Sequence, residues 1–440
     1  MKNLIVLCLG IMGICPWITN AQNSNYNTPS FTKKSNAKDM GALYVATNKT
    51  DQNSVVAIRQ HTDGSLIKIG EYATGGKGTG NIEIFDWGYD PTHPLKDGVD
   101  PLISAYGITK TMDNKYLLAV NSGDASISSF TVQPDKSLQL NNVVAATDKH
   151  PLSIATHNNT VFVASSGDNS GSVSGYRLDD RGKLSPIKGS TRELKARPSC
   201  VAFTPDGKFI VVSELATGMI KVFKVMRDGS LSENPLSSIA SPHDKDEGRW
   251  LPIPVGFDIV QKGNKHIILI SEARFLDNTG GLREENGKVP QSPKYSWQTG
   301  SSSSYVLDRK GRIRLVSGDI MTGNGMEGGQ IANCWVEASR DGRTLWAANA
   351  LSSSISTYKI EEDGTLSLVL EKAYKKEDES LFFSDLYLSM DGKYLNQLIG
   401  NKGAIQVFEV QPGIGSKLKS LGMYSEFGIP EVGAYGLISL

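Results

Sequence analysis

The chain has 440 residues, with 46 basic and 46 acidic side chains and no formal net charge. Because the two signs are interleaved, no basic field exists to gather a phosphate backbone, and nucleic-acid binding is not expected. Forty-five glycines and an aromatic content of 8% suit many tight turns between half-buried strands.

Residues 1–21 read as an export signal. Lys2 supplies positive charge, Leu4 to Ile14 is apolar, and Thr19-Asn20-Ala21 offers small residues before a cut ahead of Gln22. The apolar run is too short to span a membrane, so no transmembrane segment is expected and the mature chain is placed in the periplasm or outside the cell. A lipid anchor at Cys15 is disfavoured by bulky Ile14 before it and Pro16 after it. Residues 22–39, rich in Asn, Ser, Thr and Lys, read as a flexible leader.

From residue 40 onward one phrase recurs: an apolar strand, a short turn, a second apolar strand, a polar stop and a third strand. The clearest copy runs Cys200-Val-Ala-Phe-Thr-Pro-Asp-Gly-Lys-Phe-Ile-Val-Val-Ser-Glu214, then Ile220 to Val225, then Asp228-Gly-Ser-Leu231. Another runs from Trp335 to Asn349, then Ile355 to Ile360 and Asp363-Gly-Thr-Leu366. Repeats of roughly 40 to 50 residues with about four short strands each are the signature of propeller blades. Polar stops at Asn48, Asn121, Ser166, Glu214, Glu272, Asn349 and near Gly400 count seven blades. The expected fold is all-β: a single seven-bladed β-propeller over residues 40–440, with four-stranded antiparallel blades. The tail Pro430 to Ser439 resembles the first strand of a blade, while the repeat at Gly41 starts one strand late. The C-terminal strand is therefore expected to close the ring, removing two open sheet edges.

Two segments exceed a blade connection. The insertion Asn81–Asp100 mixes aromatics and acids: Trp87 and Tyr89 could stack on a sugar, and Asp86, Asp90, Asp97 or Asp100 could ligate calcium. The alternative is that Phe85 and Trp87 pack on the neighbouring blade. The second insertion, Asp277 to Gln298, is polar and carries Trp297 near its end. No cofactor is expected, calcium is a possible ion, and no metal ligand set is assigned. After signal cleavage Cys200 and Cys334 remain, about three blades apart and on opposite faces of equivalent strands, so they read as buried free thiols rather than a disulfide.

Most stops are Asn or Ser, which cap strand ends. Glu214 and Glu272, on neighbouring blades, break the pattern. Close together they could share a proton or grip a cation; otherwise each pairs with a Lys or Arg. Arg197 and His150 occupy matching positions before their blades' first strands, and Arg274 follows Glu272 by two residues. Arg197 or Arg274 could hold an anion, and His150 could carry a proton near neutral pH. The candidate site is therefore Glu214, His150 and Arg197 as catalytic groups, with Glu272, Arg274, Trp87 and Trp297 as ligand contacts.

Gly75-Gly-Lys-Gly, Asp100-Pro-Leu-Ile-Ser104, Val120-Asn-Ser-Gly123, His150-Pro-Leu-Ser-Ile154 and Phe203-Thr-Pro-Asp-Gly-Lys-Phe209 resemble the seven-bladed propeller lactonase family, which includes 6-phosphogluconolactonases and carboxymuconate-lactonising enzymes. The resemblance extends over residues 41–440 and is similar to an exported, lactonase-like branch. It implies a carboxylate role for Glu214 in Ser213-Glu-Leu215. It also implies that the family His falls on Ser199 and the family Arg on Ala350, so two of three expected groups are absent. Two functions follow as expectations: a noncatalytic propeller holding a lactone, sugar acid, glycan or protein partner, or an exported hydrolase of a non-phosphorylated lactone using Glu214.

Overall fold

A computed structural model describes residues 37–81, 100–167, 170–215, 217–244, 247–277, 295–415 and 417–440. Every regular element among them is a β-strand, arranged as seven blades around a channel. The innermost strands, in ring order, are Tyr435–Ser439, Ile108–Lys110, Pro151–His157, Pro198–Phe203, Phe257–Lys262, Asn333–Ala338 and Phe383–Leu388. In six blades the chain runs outward from the channel. The third blade's outermost strand is broken into Leu184–Pro186 and Arg192–Leu194, both paired with Gly171–Leu178.

The first blade is completed from the far end of the chain. Tyr435–Ser439 pairs antiparallel with Asp39–Ala46, matching Leu43 to Ser439 and Val45 to Leu437. The C-terminal strand thus closes the ring, and the first blade's own chain supplies only its three outer strands.

Local chemistry explains the repeated hairpin between the first and second strands of a blade. In Thr204-Pro-Asp206-Gly207 the Thr204 hydroxyl donates to Asp206 at 2.8 Å and accepts the Phe209 N–H. Ser339 and Ser389 do the same toward Asp341 and Asp391, at 2.5 and 2.8 Å. Gly207, Gly342 and Gly392 follow with φ of 69°, 65° and 75°, a region costly for residues with a Cβ.

Blades are held to each other by apolar faces: Phe209, Ile220 and Val222 belong to one buried cluster with Phe257, Ile268 and Ile270 of the next blade. An innermost strand pairs on one side only, so its remaining N–H groups need other acceptors. Side chains of the preceding blade provide several. Ser153 accepts from Val201 N at 3.0 Å, Asp258 from Ala338 N at 2.9 Å, Glu337 from Leu388 N at 3.1 Å and Asp385 from Gly436 N at 2.9 Å. Cys200 and Cys334 are free and buried, and burial pushes both thiols above their usual pKa.

The second insertion contributes a short two-stranded ribbon, Phe275–Asp277 with Tyr295–Trp297. No helix among the described residues is long and apolar enough to cross a membrane.

Candidate functional site

The channel has two ends. On the stop side, innermost strands begin and second strands finish; on the turn side lie the Asp-Gly hairpins. Glu214, His150, Arg197, Glu272 and Arg274 all belong to the stop side, because each stands at the start of a first strand or the end of a second.

Glu214 is 1% exposed and its carboxylate is engaged at both oxygens. Lys221 forms an ion pair with Oε1, and the Thr217 hydroxyl donates to Oε2 at 2.7 Å. Both partners come from the turn and strand that follow it. Glu272 is fully buried and belongs to a different cluster. Arg274 donates to its Oε2 at 3.1 Å and Ser301 at 2.6 Å. Burial pushes the Glu272 carboxyl up, opposed by the neighbouring Arg274 charge. Arg274 also donates to the Pro242 carbonyl at 3.0 Å and the Trp250 carbonyl, and pairs with Asp319 at 2.9 Å. Arg249 clamps the same Asp319 through Nε and Nη2 at 2.7 and 2.8 Å. Two guanidinium groups and two carboxylates thus form one network, buried except at Asp319. Among the described residues, Glu214 is bonded to neither Glu272 nor His150.

His150 precedes Pro151 with φ of 40°, and its Nδ1 donates to the Ser122 carbonyl at 2.8 Å. Arg197, on the adjacent blade, is 2% exposed and donates to the Leu102 carbonyl. Ser199 is buried, donating to the Pro254 carbonyl at 2.6 Å and sharing a hydrogen bond with the Ser213 hydroxyl at 2.8 Å. Ala350 is also buried. Trp87, Tyr89, Asp86, Asp90 and Asp97 lie outside the described residues. Asp100 is described and accepts the Ile103 N–H at 3.1 Å. For Trp297 only the backbone is described, paired with Phe275.

The turn side holds a cavity of about 520 Å³, remote from every candidate residue that the repeat pattern singles out. Asp258, Glu337, Tyr106, Tyr387 and Arg340 line it. Asp258 spends Oδ1 on Ile259 N at 2.7 Å and Oδ2 on Ala338 N at 2.9 Å. Glu337, 5% exposed, accepts Leu388 N with Oε1 only. Burial raises the Glu337 carboxyl well above its usual range, and nearby Asp258 raises it further. Burial also raises both tyrosines, with Asp258 next in effect at Tyr106 and Glu337 at Tyr387.

A signal for this layer exists in the sequence. Two residues before the Ser or Thr that opens each hairpin stand Thr109, Ala202, Glu337 and Tyr387. A glutamate in so apolar a phrase as Trp335-Val-Glu-Ala338 marks a position facing something other than a blade.

Residues 100–244 match the family described as Lactonase, 7-bladed beta-propeller. No curated protein matches the chain. Among solved structures, a provisional 6-phosphogluconolactonase of Bacteroides uniformis superposes with a TM-score of 0.62 at 17% identity, covering 92% of this chain and 100% of that one. The periplasmic gluconolactonase of Pseudomonas aeruginosa gives 0.60 at 17% identity, covering 91% and 99%. A provisional 6-phosphogluconolactonase of Bacteroides fragilis gives 0.58 at 18%, covering 91% and 98%. At these identities the likeness establishes the fold, a seven-bladed lactonase-like propeller.

Proposed function

We propose that this chain is an exported, lactonase-like propeller that holds a small molecule or partner without hydrolysing it. The observation that carries the reading is the state of Glu214. A general base must reach a water with a free lone pair and a suitable pKa, whereas this carboxylate is buried and already engaged by Lys221 and Thr217. The positions that the family resemblance assigns to a His and an Arg are Ser199 and Ala350, which supply neither a proton acceptor nor a cation. Export rests on the character of residues 1–21 and agrees with the periplasmic location named for the Pseudomonas aeruginosa neighbour. Sugar acids, lactones and glycans are the ligand classes of choice, with calcium to be tested alongside them.

A second reading, hydrolysis of a non-phosphorylated lactone, draws on one observation: His150, Arg197 and Glu214 stand on the same face of two adjacent blades. Lys221 would then have to release Glu214 when substrate binds.

The deciding experiment follows gluconolactone opening by the mature chain, residues 22–440, by proton release in weakly buffered solution. No acceleration over buffer is expected. Turnover that drops at least about 100-fold in Glu214→Gln would establish the hydrolase instead. Thermal unfolding against lactones, sugar acids, glycans and calcium should show a raised midpoint for the bound class.

A further inference from the structure

Among the described residues, the cations and acids gathered at the turn-side cavity form no direct ion pair with one another. Arg340 of the sixth blade lines the cavity, and Lys110 of the second blade, next to the lining residue Thr109, reaches the same Leu388–Met390 segment that Arg340 holds, the two blades being brought to one rim by closure of the ring. The Arg340 Nη2 donates to the Leu388 and Ser389 carbonyls at 3.1 and 3.3 Å. Lys110 reaches the Met390 sulfur at 3.3 Å. Among the described residues neither cation has a carboxylate ion-pair partner within 4.0 Å, although 18 such pairs join other residues.

The acids of the cavity act on these cations only at longer range, Glu337 on both and Asp258 on Arg340, without an ion pair. Asp258 is consumed by two backbone N–H groups. Glu337 gives Oε1 to Leu388 N and makes no further hydrogen bond among the described residues, so a side chain 95% buried presents its second oxygen without a partner. Like charges left close together call for a counter-ion, and a planar guanidinium beside an ammonium suits a carboxylate. A volume of about 520 Å³ with phenols, a carboxyl group and apolar walls also matches a polar ligand of modest size.

We propose that the turn-side cavity binds a small hydroxylated carboxylate of sugar-acid size, its carboxylate held by Lys110 and Arg340 and its hydroxyls by Glu337 and Tyr387. The assignment rests on the ligand-binding reading above and names its site and ligand class. The titration behaviour agrees with it. Lys110 is lowered to about 8, by burial first and then by Arg340 and Lys136, with Glu337 opposing them. Burial favours the neutral form of Glu337, which can donate to a ligand hydroxyl without repelling its carboxylate.

Isothermal titration of the full chain with sodium gluconate, glucuronate and galacturonate tests the assignment, with glucose as the uncharged control. At least one acid should bind at least about tenfold more tightly than glucose, and Arg340→Gln and Lys110→Gln should each weaken it at least about tenfold. Arg340 is exposed, so its variant is expected to fold, and circular dichroism and melting confirm that for both. Silence with all three acids, glucose binding as tightly, or affinity unchanged in both variants would overturn the assignment. Lactone hydrolysis on the stop side would overturn the preceding reading while leaving this titration as it is, so the two failures are distinguishable.

Discussion

Asp385 accepts the backbone N–H of Gly436 at 2.9 Å, a bond between the innermost strand of the last blade and the chain's final strand, which completes the first. A carboxylate therefore sits at the seam where the ring closes.

Burial pushes Asp385 up to about 7 from an ordinary 3.8, so the folded protein holds its proton more tightly than the unfolded chain does. Between those values the native state binds more protons. This group's contribution to stability is therefore fully present below the unfolded value and is lost as pH rises through about 7. A shift of this size corresponds to at most about 4 kcal/mol. In Asp385→Asn, whose amide oxygen still accepts the Gly436 N–H, the fall in melting temperature from pH 4 to pH 8 should be shallower than in the parent. Parallel curves would show that Asp385 does not titrate in this range.

Glu214 and Lys221 form a pair whose side chains are 1% and 13% exposed. Removing one partner leaves a buried charge, so Glu214→Gln should destabilise by about 3 kcal/mol and Lys221→Met by a similar amount. The double variant should cost clearly less than their sum, with a coupling of at least about 1 kcal/mol in urea unfolding. Additive costs would mean that the pair contributes no mutual stabilisation.

Asn121 and Asn349 cap equivalent strands in the same way: Asn121 donates to Ser126 and Ser128 at 3.0 and 2.8 Å, Asn349 to Ser354 and Ser356 at 3.2 and 2.8 Å. Only Asn121 also accepts, taking an N–H from Asn53 at 2.9 Å, while the Asn349 oxygen is buried without a partner. Asn121→Ala should therefore cost about 1 kcal/mol more than Asn349→Ala. Chemical denaturation of both variants measures the difference, and equal costs would contradict it.

Deleting residues 435–440 removes the innermost strand of the first blade and exposes the edge of Asp39–Ala46. Open edges pair between molecules, so the truncated protein should elute as aggregate in size-exclusion chromatography. A stable monomer with an unchanged melting temperature would show that closure is dispensable.

The blades are legible in the amino-acid order itself, because each depends on local signals: apolar runs of strand length, Ser/Thr-x-Asp-Gly turns and a polar residue where a strand stops. Even the closure is legible, since a late-starting first repeat and a strand-like tail complement each other. Asn121 and Asn349 can be read as caps for the same reason, their partners lying five and seven residues on. Glu214 stands out as a break in the pattern, and Lys221 lies within reach because the same hairpin returns. What local patterns do not reveal are pairings between segments far apart in sequence. Arg249 and Arg274 meet at Asp319 only because the fifth blade brings its outermost strand back beside the connections that precede and follow its inner strands, and Asp258, Glu337 and Asp385 serve N–H groups of the blade that follows. Lys110 and Arg340 share a rim only because the ring closes. The sequence alone determined the repeat, its count and its strand chemistry, through interactions that span a few residues. Tertiary structure decided which charges are buried, which are paired and where a cavity remains, because those depend on blade-to-blade contacts that no local pattern encodes.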